Sequence, residues 1–142
     1  MVVMEDKPAV EEFPRMADEL SSLDKVVWSV FGNGGSKRTS GGGSDISPML
    51  EVAKSHPNII AGVADDFMND ARMKIYTPEI ISGYKERLHN EIGRKLDFWA
   101  VLYAHELADK IKPYLDVFDV VTFWNWRSES LLDLDANLGR LK

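Results

Sequence analysis

Apolar residues fall along the chain in two alternating patterns. Val26-Val27-Trp28-Ser29-Val30-Phe31, Ile59-Ile60-Ala61-Gly62-Val63-Ala64, Leu96-Asp97-Phe98-Trp99-Ala100-Val101-Leu102-Tyr103 and Phe118-Asp119-Val120-Val121-Thr122-Phe123-Trp124 are short, nearly continuous runs rich in β-branched and aromatic residues. Runs of this length predict buried strands. Between them the apolar residues recur at helical spacing. Ahead of the first run, Pro14 suits the first turn of a helix carrying Met16, Ala17, Leu20 and Leu23, and Ser47-Pro48 opens a second with Met49, Leu50 and Ala53. Thr77-Pro78-Glu79 caps a longer helix with Ile81, Tyr84, Leu88 and Ile92 on one stripe and Gly93 as its stop. Leu107, Ala108 and Ile111 begin a short helix interrupted near Pro113. Ser130 and Asp133 resemble a capping box for a last helix bearing Leu131, Leu134, Leu138 and Leu141. A strand stub at 1–4 completes the expected elements.

Unbroken apolar strands separated by amphipathic helices imply an α/β fold of parallel βα repeats, in one domain over residues 1–142. Right-handed crossovers then put every strand's C-terminal end on one rim, where parallel α/β folds hold their ligands. Four remote segments meet there: a Gly/Ser-rich flexible loop at 32–45, Asp65 and Asp66, His105 and Glu106, and Trp124, Asn125, Trp126 and Arg127. The strand starts carry Lys25, Asn58, Lys95 and Asp119, which read as a plain solvated set.

Composition narrows the function. Lys+Arg 17 against Asp+Glu 23 leaves a net charge of −6, so no basic footprint exists for a nucleic-acid backbone. No apolar run approaches the roughly 18 residues of a membrane span, and the first residues lack the pattern of a signal peptide, so a soluble chain is expected with its compartment open. The absence of cysteine excludes thiolate metal sites and cysteine nucleophiles. No cofactor motif is present. Gly34-Gly35-Ser36-Lys37 fails the GxxxxGK[ST] test and is not followed at once by a helix, so the loop reads as a lid over the rim or as an insertion.

The rim acids carry the candidate chemistry. Side chains alternate along a strand, so only one of Asp65 and Asp66, and one of His105 and Glu106, shares the ligand side. Gly62 and Ala64 are in phase with Asp66, and Ala100 and Ala104 with Glu106, which selects Asp66 and Glu106. Two carboxyls on neighbouring strand ends meet the minimal need of glycoside hydrolysis, one donating a proton and the other attacking or activating water. Crowding of acids raises one of the two pKa values. Asp65 and His105 would orient this pair. The alternative is structural: Asp66 caps a loop and Glu106 begins a helix, where negative charge suits the dipole. A metal site built on Asp, His and Glu is a third reading, for a metal-dependent hydrolase or isomerase, but no HExxH spacing supports it and no metal ligand is assigned.

Trp124 and Trp126, two apart on the last strand, look like a platform for the apolar face of a sugar ring, whereas Trp28 and Trp99 read as core. Asn125 and Arg127 join the substrate-binding set, although pairing with Glu129 is the plainer role for Arg127.

With those strand ends in place, Gly62-Val63-Ala64-Asp65-Asp66-Phe67, Trp99 to Leu107 and Asp119 to Trp126 resemble consecutive strands of a TIM-barrel protein of the glycoside-hydrolase-like kind, over roughly 25–142. The resemblance implies that Asp65, Asp66, Glu106, Trp124 and Trp126 line a carbohydrate cleft. It also implies eight strands and about 250 residues, where this chain supplies four strands, a partial or half (β/α)8 barrel. Half a barrel leaves two strand edges and an apolar concave face open. The expectation is therefore a fragment, a homodimer that closes the barrel, or an open doubly wound sheet, and not a stable monomer. Where no catalysis occurs, a non-catalytic sugar-binding or scaffold half-barrel remains.

Overall fold

The computed structural model describes residues 6–32 and 36–141. The expected strand stub at 1–4 and positions 33–35 of the loop lie outside the described residues. The fold is α/β: four parallel strands, β1 (Val26–Ser29), β2 (Ile59–Ala64), β3 (Asp97–Tyr103) and β4 (Val120–Trp124), pair in the order β1-β2-β3-β4. Each strand lies next to its successor in the chain, and the register runs Ala64 beside Ala100 and Tyr103 beside Trp124.

Helices α1 (Phe13–Glu19), α2 (Lys37–Ser40), α3 (Ile46–Ala53), α4 (Asp70–Met73), α5 (Pro78–Asn90), α6 (Lys112–Leu115) and α7 (Leu134–Gly139) fill the connections. Pro14 and Pro78 stand in first turns, where a missing N–H costs nothing, and the Thr77 side chain caps α5 by accepting from the Ile80 N–H. The main core joins Phe13, Met49, Leu50, Ile81, Leu88 and Tyr114 from α1, α3, α5 and α6 to Trp28, Phe98 and Leu102 of the sheet and to Val30 just past β1. A second, smaller cluster on the other face holds Val27, Ala61, Val63, Val101 and Tyr103, with Ile60 and Trp99 against it, and contains strand residues alone. Among the described residues the core-forming helices thus share one face. A doubly wound sheet would carry helices on both.

Three expectations need correction. The stretch 36–45 is not featureless: it contains α2 and is fastened on several sides. Asp6 accepts hydrogen bonds from Ser36 Oγ at 2.7 Å and from the Lys37 and Arg38 N–H groups at 2.7 and 3.0 Å, which hold its carboxyl at about 2. Arg38 forks onto buried Asp45, and the Tyr76 hydroxyl sits between the carbonyls of Thr39 and Gly43. A run of ordinary turn residues could not have signalled partners as remote in sequence as Asp6 and Tyr76. The last helix is also shorter than expected, because residues Ser128–Asp133 wind as a 3-10 helix and Leu131 and Leu132 stay exposed.

The strand starts, thirdly, are only in part a solvated set: Lys25 and Lys95 are exposed, whereas Asn58 donates to the carbonyls of Leu20 and Leu23 and Asp119 centres a clamp. Asp119 accepts from His89 Nε2 and from the Phe98 N–H, both at 2.8 Å, and lies 3.2 Å from Lys85 Nζ. Arg94 donates to the carbonyls of Ala53, His56 and Ile59, tying α3, its exit and β2 together. Burial pushes the Asp119 carboxyl up, but the bonds from His89, Phe98 and Lys85 outweigh it and hold the group at about 2. A carboxyl lowered from 3.8 contributes stability that is full above about pH 4 and is lost as pH falls toward 2. Asp119→Ala is expected to cost about 2 kcal/mol at pH 7 in urea denaturation, a difference that closes on acidification through that window. Equal stability of the two proteins at pH 7 would contradict the clamp.

Candidate functional site

The C-terminal ends of β2, β3 and β4 converge. Asp65 continues the face of Ala61 and Val63 and is buried, at 5% exposure. Asp66 follows in the left-handed backbone region, with φ of 46°, a conformation that short polar side chains tolerate better than most. That turn breaks the strand alternation. The phase argument from small residues is thereby corrected: Gly62 and Ala64 face the helices, where a Cβ on Gly62 would stand 3.0 Å from Val30 Cγ1, and Ala100 also joins the helix-side core. Smallness there reports close helix approach. Asp66 nevertheless reaches the group at the end of β3, because its carboxylate accepts a hydrogen bond from the Tyr103 hydroxyl.

Tyr103 is the residue the sequence reading missed. It closes an apolar run and looks like core, and it is indeed 6% exposed. Its ring stacks on His105 at 5.6 Å between centroids and on Trp126 at 5.3 Å, and meets Trp124 edge-on at 6.2 Å. Its hydroxyl pKa is pushed upward by burial and by the charges of Asp66, Asp65 and Glu106. The only available signal was position: two residues beyond Val101, on the face of Asp65.

Glu106 ends the 3-10 turn Ala104–Glu106 and accepts from the Tyr103 N–H at 2.9 Å, so one of its oxygens closes the turn. Burial and the Asp66 charge raise its pKa against the opposing pull of that hydrogen bond, His105 and Lys110. Asp65 is raised to about 6, by desolvation first and then by the Asp66 charge, with the hydrogen bond from the Asp66 N–H and the Arg72 charge opposing and Glu106 adding. Arg72, buried on α4, donates to the Asp65 carbonyl at 3.4 Å. Asp65, Asp66, Tyr103 and Glu106 therefore act on one another electrostatically.

Two depressions flank His105. One, of about 200 Å³, is lined by Trp124, Asn125, Trp126 and Arg127 among others; the second, of about 290 Å³, by Asn69, Asp70, Glu106 and Lys110 among others. Trp126 is 77% exposed and Trp124 41%, so both offer ring area to a ligand. Asn125 Oδ1 is buried without a hydrogen-bond partner. No ion pair joins Arg127 to Glu129 among the described residues, which corrects the expected surface pair. A larger cleft of about 500 Å³, between Leu107, Ile111 and Leu141, lies off this group of acids. Among the described residues, no three His, Asp or Glu side chains are grouped to hold a metal ion, and no helix is long and apolar enough to cross a membrane. Comparison with protein-family models, with curated proteins and with solved structures finds no match.

The raised Asp65 gives a signed expectation. A folded pKa of about 6 against an ordinary 3.8 means that stability from this group is full below about pH 4 and is lost as pH rises through 6. Asp65→Asn keeps an acceptor and removes the buried charge, so the variant is expected to exceed the parent protein by about 3 kcal/mol above pH 7. Its thermal midpoint should fall less between pH 4 and pH 7. A parallel pH profile for the two proteins would contradict burial of an ionising carboxyl here.

Proposed function

We propose that this chain is a carbohydrate-active protein whose strand-end rim binds a sugar chain and hydrolyses a glycosidic bond. The observation that carries the reading is the meeting of carboxyls and tryptophans around Tyr103 on one rim of a parallel sheet. Glycoside hydrolysis needs one carboxyl to give its proton to the glycosidic oxygen as the C–O bond breaks. The other attacks the anomeric carbon or takes a proton from the attacking water. Asp66 and Glu106 fill these roles, with Asp65 and His105 orienting them. Trp124 and Trp126 supply flat apolar faces for the C–H side of a pyranose, and Asn125 and Arg127 supply polar partners.

The same reading makes the four strands part of a (β/α)8 barrel. In its favour, the strands follow one another in sequence order and the core-forming helices share one face. Closure would come from a second copy or from another barrel half.

A second reading rests on Glu106: one of its oxygens is already engaged with the Tyr103 N–H, a structural duty compatible with a binding module that turns nothing over. Asp66→Asn and Glu106→Gln separate the two. In the enzyme each is expected to lower turnover of a soluble oligosaccharide by about 10²–10⁴-fold with affinity retained. In the binding module neither changes anything but stability. Trp126→Ala is expected to weaken sugar binding about tenfold under either reading, measured by calorimetry. Unchanged affinity in that variant would remove the platform from the account.

A further inference from the structure

The sequence holds seven arginines, and six of them are engaged. Arg15, Arg38 and Arg87 pair with carboxylates, while Arg72, Arg94 and Arg140 donate to backbone carbonyls. The Arg127 side chain alone has no hydrogen bond or ion pair among the described residues, and it is exposed. Its backbone, by contrast, is fixed, because its carbonyl accepts from the Ser130 N–H at 3.1 Å where the 3-10 turn Ser128–Asp133 begins. The guanidinium therefore projects from an anchored position beside the exposed ring of Trp126. It borders two depressions. The inner one, of about 200 Å³, has Trp124 and Trp126 as its aromatic lining and His105, Asn125, Arg127 and Ser130 as its polar lining, with no carboxylate. The outer one, of about 820 Å³, carries Glu129 and Asp133 beside Arg127. We propose that the inner depression is a subsite for an acidic sugar, a pyranose bearing a carboxylate or a sulfate, and that Arg127 is the residue that selects for its charge.

The argument is one of charge and shape together. A guanidinium stays ionised at every working pH and presents a planar fork of N–H donors that matches the paired oxygens of a carboxylate or sulfate. A chain of net charge −6 repels anions over most of its surface, and a cation that no internal acid neutralises reverses that repulsion locally. The Trp126 ring lies nearly parallel to the Tyr103 ring, at 10°, and remains 77% exposed, so ring area is left for the C–H side of a pyranose. A charged group on the edge of that pyranose then falls to the neighbouring guanidinium, and Asn125 and Ser130 are at hand for hydroxyls. The surrounding acids confine the anion to this place. Beyond His105, Asp70 and Glu106 line the depression of about 290 Å³, and Lys110, the lysine of that depression, is already paired with Asp70. On the other flank Glu129 and Asp133 repel an anion from the outer depression. The inference rests on the proposed function and deepens it: the acidic ring is held on the tryptophan side of His105, and the bond to be broken lies toward Glu106.

Three matched tetrasaccharides test this on the full chain: a uronate, its carboxyl-reduced neutral counterpart, and a sulfated form of that neutral sugar. Affinities are read by calorimetry and by quenching of indole fluorescence. At low salt one or both charged sugars are expected to bind about fivefold more tightly than the neutral one, an advantage that shrinks as salt is added. Which of the two carries the advantage identifies the anion. In Arg127→Gln the ratio of charged to neutral affinity is expected to fall to about one, and Arg127→Lys, which keeps the charge without the fork, is expected to retain part of it. Trp126→Ala is expected to weaken charged and neutral sugars together and to leave the ratio in place. Equal affinity for all three sugars in the parent protein, or a ratio that survives Arg127→Gln, would overturn the acidic subsite. Equal binding removes the charge selection and leaves the proposed function standing, whereas no binding by any of the three removes both.

Discussion

Parallel pairing of consecutive strands is the constraint on which the rest depends. A parallel neighbour must be reached by a crossover, and the crossover's fixed hand sends every strand in the same direction. Residues 64–66, 103–106 and 124–127, remote in sequence, thereby become neighbours at one end of the sheet. The opposite end is free of that role and is used to hold the layers together. Arg94 gathers carbonyls from α3 to β2, and Asp119 links β4 to β3 and to α5 through Phe98 and His89. The two ends differ in electrostatic character for this reason: Asp119 at the strand starts is overcompensated and its pKa is lowered, while Asp65 and Glu106 at the strand ends are undercompensated and theirs are raised.

Undercompensation has a cost and a use. A buried carboxyl held near 6 opposes folding at neutral pH, and three acids with one phenol in mutual range are a poor arrangement if stability were the sole demand. Such clusters concentrate where proton transfer or charged intermediates occur. Here the cluster adjoins two exposed tryptophans, so the groups able to move a proton and the surfaces able to hold a ring are within reach of one ligand.

The strands and the long helix were legible because their signals are local. Ile59 to Ala64 is apolar throughout and bounded by Asn58 and Asp65, and Thr77-Pro78 joins a cap to a first-turn proline. The rim's membership followed from topology alone. Its internal geometry did not. Alternation assigned Asp66 a side from Gly62 and Ala64, yet those residues are small because α3 and α5 pack close to them, and a positive φ then redirected Asp66. Tyr103 was hidden in an apolar run whose end carries a polar duty, and the Asp6 and Asp119 networks join residues more than twenty positions apart, beyond any local pattern. The apolar stripe of the last helix was visible, but Leu131 and Leu132 have nothing described to pack on.

The central claim is that the strand-end rim is the working surface of this molecule. It is tested most directly by amide and indole NMR shift mapping of the chain during titration with a soluble oligosaccharide panel. Shifts confined to the ends of β2, β3 and β4, with the Trp124 and Trp126 indoles and the Tyr103 amide leading, are the expected result. Shifts centred on the strand-start clamp around Arg94 and Asp119, or no saturable shift with any glycan, would contradict it.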